Sequence, residues 1–213
     1  MTKNRLTLIA DKYNTDKGSK FGHKHNYTEI YDEYFSKYIG KSPNILEIGV
    51  FQGASLKMYH EYFVDCEVYA IDIVDSCVRF SDNKTHIYIF DAADKAGIDM
   101  FKRLIGNVKF DIIIDDGSHE PYEQYRTLIG FFDLLTEDGI YIIEDIHSNI
   151  LDPDNKNCPL KCLPFRQHTE YLTDEENDLL LSKLDKVMIY SRKNNSCPYY
   201  GTSITAILTF INY

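Results

Sequence analysis

Five short apolar runs carrying acid at or near their carboxyl ends recur along the chain: NILEIGV (44–50), EVYAIDI (67–73), HIYIF (86–90), FDIIIDD (110–116) and GIYIIED (139–145). Runs this short and this continuous in β-branched and aromatic residues are what strands become when helices cover both faces of their sheet. Amphipathic stretches at helical spacing separate them, from Ala54 to Phe63, Lys95 to Ile105 and Pro121 to Leu135. Such alternation predicts an α/β fold with a parallel sheet. Thr173 to Glu176 forms a capping-box signature that opens a further helix through LLLSKL. The end of the chain breaks the rhythm: KVMIYSR (186–192) and SITAILTFIN (203–212) are joined only by KNNSCPYYGT, which predicts an antiparallel hairpin. Five βα units followed by a hairpin differ from the six parallel strands of nicotinamide-binding domains. Residues 1–43 read as a polar, aromatic-bearing lead-in and 146–172 as a long irregular connection of the kind that covers sites.

The 213 residues suffice for one domain with a proper core. A net charge of −10, with no block of Lys and Arg, argues against nucleic acid and anionic membranes as partners. No apolar stretch reaches bilayer-spanning length, and the opening MTKNRLTLIADKYNTDKG lacks the features of a secretion signal, so the expectation is a cytoplasmic protein. Five irregularly spaced cysteines read as reduced thiols. Cys158 and Cys162 are the only close pair, and a metal site there needs two further soft ligands that sequence proximity does not supply.

In open α/β sheets ligands bind beyond the carboxyl ends of the strands, where the acids of this chain collect. Gly49 and Gly53 flank a turn into a helix, where missing side chains let backbone N–H groups approach a ligand; close helix–strand packing is the alternative. The spacing is not GxGxxG. Asp72, about twenty residues on, stands where an acid accepts hydrogen bonds from ribose hydroxyls. With strands four and five adjacent, Asp116, Glu144 and Asp145 repel one another unless a cation lies between them or some are protonated. Hard oxygen ligands suit Mg²⁺, with Mn²⁺ or Ca²⁺ in its place; helix or turn capping is the alternative for Asp115 and Asp145. His119 lies three residues beyond Asp116, and imidazole is the side chain able to take a proton near neutral pH. Beside the acids a general-base role is favoured over an ordinary loop histidine. His147 is a weaker candidate, for substrate contact.

In this order the glycine turn, the ribose acid, the strand-four acid, the strand-five pair and the hairpin resemble the class I S-adenosylmethionine-dependent methyltransferases. More narrowly, the chain resembles the metal-dependent sugar O-methyltransferases of macrolide biosynthesis, the mycinamicin and macrocin enzymes, with cephalosporin hydroxylase-like relatives. The matching stretches are DKYNTDKGSKFGHKHNYTEIYDEYF (11–35), LEIGVFQGASLKMY (46–59), VYAIDI (68–73), IDDGSHEPYEQ (114–124) and YIIEDIH (141–147). The resemblance implies a Rossmann-like methyltransferase fold over 1–213, seven-stranded and parallel but for the C-terminal hairpin, with 1–43 as lead-in or lid. It implies S-adenosylmethionine and Mg²⁺ as cofactors and a sugar hydroxyl as acceptor. It further implies metal ligation by Asp116, Glu144 and Asp145, with His119 as general base. By the same resemblance Glu47, Gly49 and Gly53 would line the methionine part of the cofactor, Asp72 the ribose, and Asp91 with Ala92 the adenine region, and Asp115 would join this cofactor set. FDAADKAG after the third strand departs from the usual turn. Homo-oligomerisation is left open. The rivals are a phosphoramidate, catechol or amine acceptor, a hydroxylase using two histidines and a carboxylate, and a binding module without turnover.

Overall fold

Each apolar run is a strand in the computed structural model, which describes residues 3–146, 171–193 and 202–211. Strands β1 (Asn44–Ile48), β2 (Glu67–Asp72), β3 (Thr85–Ile89), β4 (Phe110–Asp115) and β5 (Leu135–Ile143) occupy the five internal runs; β6 (Leu184–Lys193) and β7 (Thr202–Phe210) are the C-terminal pair. They form one sheet in the order β3-β2-β1-β4-β5-β7-β6. The first five pair in parallel, and β7 runs antiparallel to both β5 and β6, as the hairpin reading predicts. This is the seven-stranded α/β arrangement expected from the sequence.

Alternate residues of each central strand enter opposite layers. In β4, Ile113 joins Phe101, Leu128 and Phe131 on one face, while Ile112 and Ile114 join Tyr31, Tyr59 and Phe63 on the other. Helices α3 (Ala54–Phe63) and α4 (Lys95–Ile105) have the predicted limits. Helix α5 begins at Pro121 but ends at Phe131, short of the predicted Leu135. A 3₁₀ turn, Phe132–Leu134, follows, and Leu135 already pairs with Phe110 across a bulge that brings β5 forward of its predicted start at Gly139. Helix α6 (Asp174–Lys183) carries the predicted capping box: Thr173 Oγ1 accepts from Glu176 N at 3.2 Å, and Glu176 Oε2 accepts from Thr173 N at 3.0 Å.

The lead-in is helical. It folds into α1 (Arg5–Tyr13) and α2 (Thr28–Phe35), joined by a loop. Asn4 caps α1, its Oδ1 accepting from Thr7 N at 2.7 Å, and Leu6, Ile9 and Ala10 form the buried stripe of i, i+3, i+4 spacing. Tyr31 and Phe35, also one turn apart, are fully buried in the same layer. The lead-in is therefore part of the core, and its loop is held against the sheet.

Strand β1 is the switch point: its neighbours are β2 on one side and β4 on the other, which opens a crevice at their carboxyl ends. Among the described residues no helix is long and apolar enough to cross a membrane. His147, Cys158, Cys162 and most of the 146–172 connection lie outside the described residues.

Candidate active site

Three strand ends meet at the crevice with their backbones locked together. Asp116 N donates to Ile48 O and Glu144 N to Asp115 O, both at 2.9 Å, so the turns after β1, β4 and β5 stand side by side. Gly49, at φ 91°, passes so close to the β4 turn that a Cβ there would lie 2.8 Å from the Asp116 carbonyl carbon and closer still to its oxygen. Only glycine fits that crossing. Gly53, also left-handed, is the residue from which α3 departs.

A cleft of about 1110 Å³ runs across these turns. At one end Asp72 accepts from Val50 N and Val74 N at 2.8 Å and from Phe51 N at 3.1 Å. Partial burial acts to raise the Asp72 carboxyl, but these three N–H donors outweigh it and hold the group below its ordinary value. Farther along, Asp91 accepts from Ala93 N at 2.8 Å, and Ala92 is buried in the cleft wall. Asp115 also borders the cleft, yet its buried carboxylate accepts from Thr127 Oγ1 and, at 3.3 Å, from Gly117 N. Burial pushes it up to about 6. Glu47 turns into the core beneath the glycine turn, accepting from Ser55 Oγ at 2.6 Å and Tyr59 Oη at 2.9 Å. Burial pushes its carboxyl up to about 7, against the pull of a nearby lysine.

At the other end the acids gather. One oxygen each of Asp116 and Asp145 and one nitrogen of His119 all lie within 4.8 Å of one another. His119 Nε2 is 4.0 Å from both Asp116 Oδ1 and Asp145 Oδ2. His119 and Asp145 both sit in the left-handed backbone region, at φ 63° and 51°, a strained setting that the surrounding turns must enforce. His119 Nδ1 is buried without a hydrogen-bond partner among the described residues. Glu144, from the same strand end, is more deeply buried and faces the core: Tyr31 Oη donates to its Oε1 at 2.6 Å.

Sequence reasoning missed the residues that hold these acids, all supplied by the lead-in. Lys17, 2 % exposed, donates to Asp116 Oδ2 and, at 2.9 Å, to Glu144 Oε2, and lies 3.8 Å from Glu47 Oε1. Burial disfavours its charge, but the Asp116 and Glu144 carboxylates more than reverse this and hold the ammonium well above its ordinary value. Burial likewise pushes up Asp116, against the pull of Lys17, and Glu144, where Asp116 adds to the effect. Tyr27 Oη donates to Asp145 Oδ1 at 2.6 Å, and His25 Nδ1 lies 3.3 Å from the same oxygen, its ring stacked on Tyr27. The signal in the sequence was the acid-, histidine- and tyrosine-rich stretch 11–35, which matched as a motif without its roles being legible.

The donor set fits a hard divalent cation: two carboxylates with oxygens turned to one gap, an imidazole beside them and a third acid behind. The cleft, with its glycine crossing and the Asp72 carboxylate at one end, fits a nucleoside cofactor.

A switch-point crevice on a mixed sheet that closes with an antiparallel hairpin defines the class: this is the Rossmann-like methyltransferase fold. The homologues are sugar O-methyltransferases of macrolide and tetracenomycin biosynthesis. A tetracenomycin-C 2'-O-methyltransferase acting on the 8-demethyl-8-alpha-L-rhamnosyl form, from Streptomyces olivaceus, is 31% identical over 132 residues, 59% of this chain and 34% of the relative. The mycinamicin VI 2''-O-methyltransferase of Micromonospora griseorubida is 31% identical over 148 residues, 66% of this chain and 36% of the relative. The MycE methyltransferase of the mycinamycin pathway, solved with Mg and SAH, superposes with a TM-score of 0.72 at 25% identity, over 99% of this chain and 56% of that one. The chain thus spans little more than a third of these curated relatives' length and about half of the solved structure's. No family model matches it.

Proposed function

We propose that this chain transfers a methyl group from S-adenosylmethionine to a hydroxyl of a sugar or glycan precursor, with a divalent ion, Mg²⁺ first among candidates, at the acid cluster. The observation that carries this reading is the convergence of Asp116, Asp145 and His119 at the rim of a cleft whose other end is built from the Gly49 turn and Asp72. Solved with magnesium and a spent methyl donor, MycE supports it by likeness.

In this reading the Gly49–Gly53 turn, stiffened from below by Glu47 through Ser55 and Tyr59, takes the methionine end of the donor. Asp72 has four acceptor sites on its carboxylate, three of them satisfied by backbone N–H groups, which fixes its orientation for a ribose hydroxyl. Asp91 and Ala92 border the adenine, and Asp115 braces the β4 turn through Thr127. Asp116 and Asp145 hold the ion, with Glu144 as the third acid of the set. When bound, such an ion lowers the pKa of a coordinated hydroxyl and fixes the acceptor oxygen. His119 accepts the hydroxyl proton at Nε2 as the oxygen attacks the methyl carbon and the carbon–sulfur bond breaks, its electron pair leaving with sulfur as neutral S-adenosylhomocysteine. The acidic rim suits a donor with positive sulfur, and holding donor and acceptor in line supplies further acceleration. The acceptor is small and carries no polyanionic backbone, in keeping with the net charge of −10. The buried free thiols of Cys66 and Cys77 accord with a reducing, cytoplasmic setting.

Calorimetric titration with S-adenosylhomocysteine, followed by labelled-methyl transfer across nucleotide sugars and glycosides, tests the reading. One-site binding and transfer to a sugar hydroxyl are expected. Failure to bind the nucleoside refutes it, and transfer only to an amine or catechol moves the acceptor elsewhere.

A further inference from the structure

The three acids beneath the proposed metal gap already have a cation. Lys17 reaches in from the loop between α1 and α2, and its Nζ is shared among Asp116, Glu144 and, at 3.8 Å, Glu47. Those partners come from three different strand ends, and the donor is 99 residues from Asp116 and 127 from Glu144 in sequence. Lys17 thus brings one positive charge to all three acids. Asp145, held separately by Tyr27 and His25, adds another acid at the rim.

Geometry divides the oxygens between two cations. Asp116 gives Oδ2 to Lys17 and leaves Oδ1 toward His119 and Asp145. Glu144 gives Oε2 to Lys17 and Oε1 to Tyr31, so both of its oxygens are engaged inside the core. We propose that Lys17 is a positioning residue: a fixed internal cation that orients Asp116 toward the gap, competes with the divalent ion for Glu144, and so sets how tightly the site holds that ion. The inference rests on the metal reading above and adds a residue that acts through the ligands rather than on the substrate.

The charge argument has a definite sign. An ammonium bonded to a ligand's second oxygen repels a divalent ion on the first and competes for Glu144. Removing it leaves Glu144 Oε2 to the ion alone and removes the repulsion. Lys17 thereby keeps the ion exchangeable, as suits a site whose metal must admit and release an acceptor.

Mn²⁺ titration, followed by electron paramagnetic resonance and by thermal melting, tests this in the full chain. Lys17→Met should bind Mn²⁺ at least about tenfold more tightly than the wild type, and added Mn²⁺ should raise its melting temperature by more. Lys17→Arg, which keeps the charge, should track the wild type. If Lys17→Met is unfolded without metal, Mn²⁺ should restore the fold by replacing the lost cation. Equal or weaker Mn²⁺ binding by a folded Lys17→Met overturns the proposal, as does a variant that stays unfolded at saturating Mn²⁺. A wild type that binds no Mn²⁺ defeats the metal reading; the role of Lys17 is judged on the difference between variant and wild type.

Discussion

The hydroxyl of Tyr27 donates to Asp145 Oδ1 at 2.6 Å, tying the residue that precedes α2 to the acid that follows β5. Tyr27 is buried, so this bond fixes the Asp145 carboxylate from behind while Oδ2 faces His119. Partners of this kind orient metal ligands, and losing one typically weakens a site by about 10- to 100-fold. Tyr27→Phe should weaken Mn²⁺ binding by that order with little loss of fold. An unchanged affinity would show that Asp145 needs no such support.

His119 is placed to take the acceptor's proton, and its backbone at φ 63° calls for care in choosing a variant. Asparagine tolerates the left-handed region better than alanine, so His119→Asn isolates the chemistry from backbone strain. Turnover should fall by about 10² to 10⁴ at neutral pH, with S-adenosylhomocysteine binding retained. A wild-type rate would remove His119 from the reaction.

The Gly49 crossing should tolerate no side chain. Gly49→Ala must relieve a clash with the Asp116 carbonyl at an unfavourable φ of 91°, at a cost of roughly 2 kcal/mol or more. Chemical denaturation reads that loss, and cofactor binding should fall with it because the β1 and β4 turns move apart. Wild-type stability would mean the two turns are not held as described.

Glu47 makes stability depend on pH in an unusual direction. Buried in the fold, its carboxyl keeps the proton up to about pH 7, whereas an unfolded glutamate releases it near the ordinary value of 4.5. Between those values the folded state binds more protons, so stability is fully present below the window and falls as pH rises through it, by on the order of 3 kcal/mol. Glu47→Gln should flatten the profile and gain most above pH 7. Parallel profiles for the two proteins would contradict this assignment.

The strands were legible because burial on both faces wrote them as nearly unbroken apolar runs; Ile112, Ile113 and Ile114 serve opposite layers and none is exposed. Their acids were legible because strand ends at a switch point are where polar groups have a ligand to meet. The β5 start was not, since Leu135 pairs with Phe110 only across a bulge that no local pattern marks. Helices α1 and α2 carry only weak local signals: Asn4 before an i, i+3, i+4 stripe, and Tyr31 with Phe35 one turn apart. Lys17 left none. A lysine after an aspartate reads as surface, and its burial depends on carboxylates about a hundred residues away. The sequence argument that clustered acids call for a cation or for protonation did not foresee that the chain itself brings an ammonium to two of them, Asp116 and Glu144.

Chelation of the transfer reaction tests the account most directly. With S-adenosylmethionine and a competent sugar acceptor, EDTA should stop methyl transfer, and Mg²⁺ in excess of the chelator should restore it, while S-adenosylhomocysteine still binds the metal-free protein. Undiminished transfer in EDTA would contradict the assignment of Asp116, Glu144 and Asp145 to a catalytic ion.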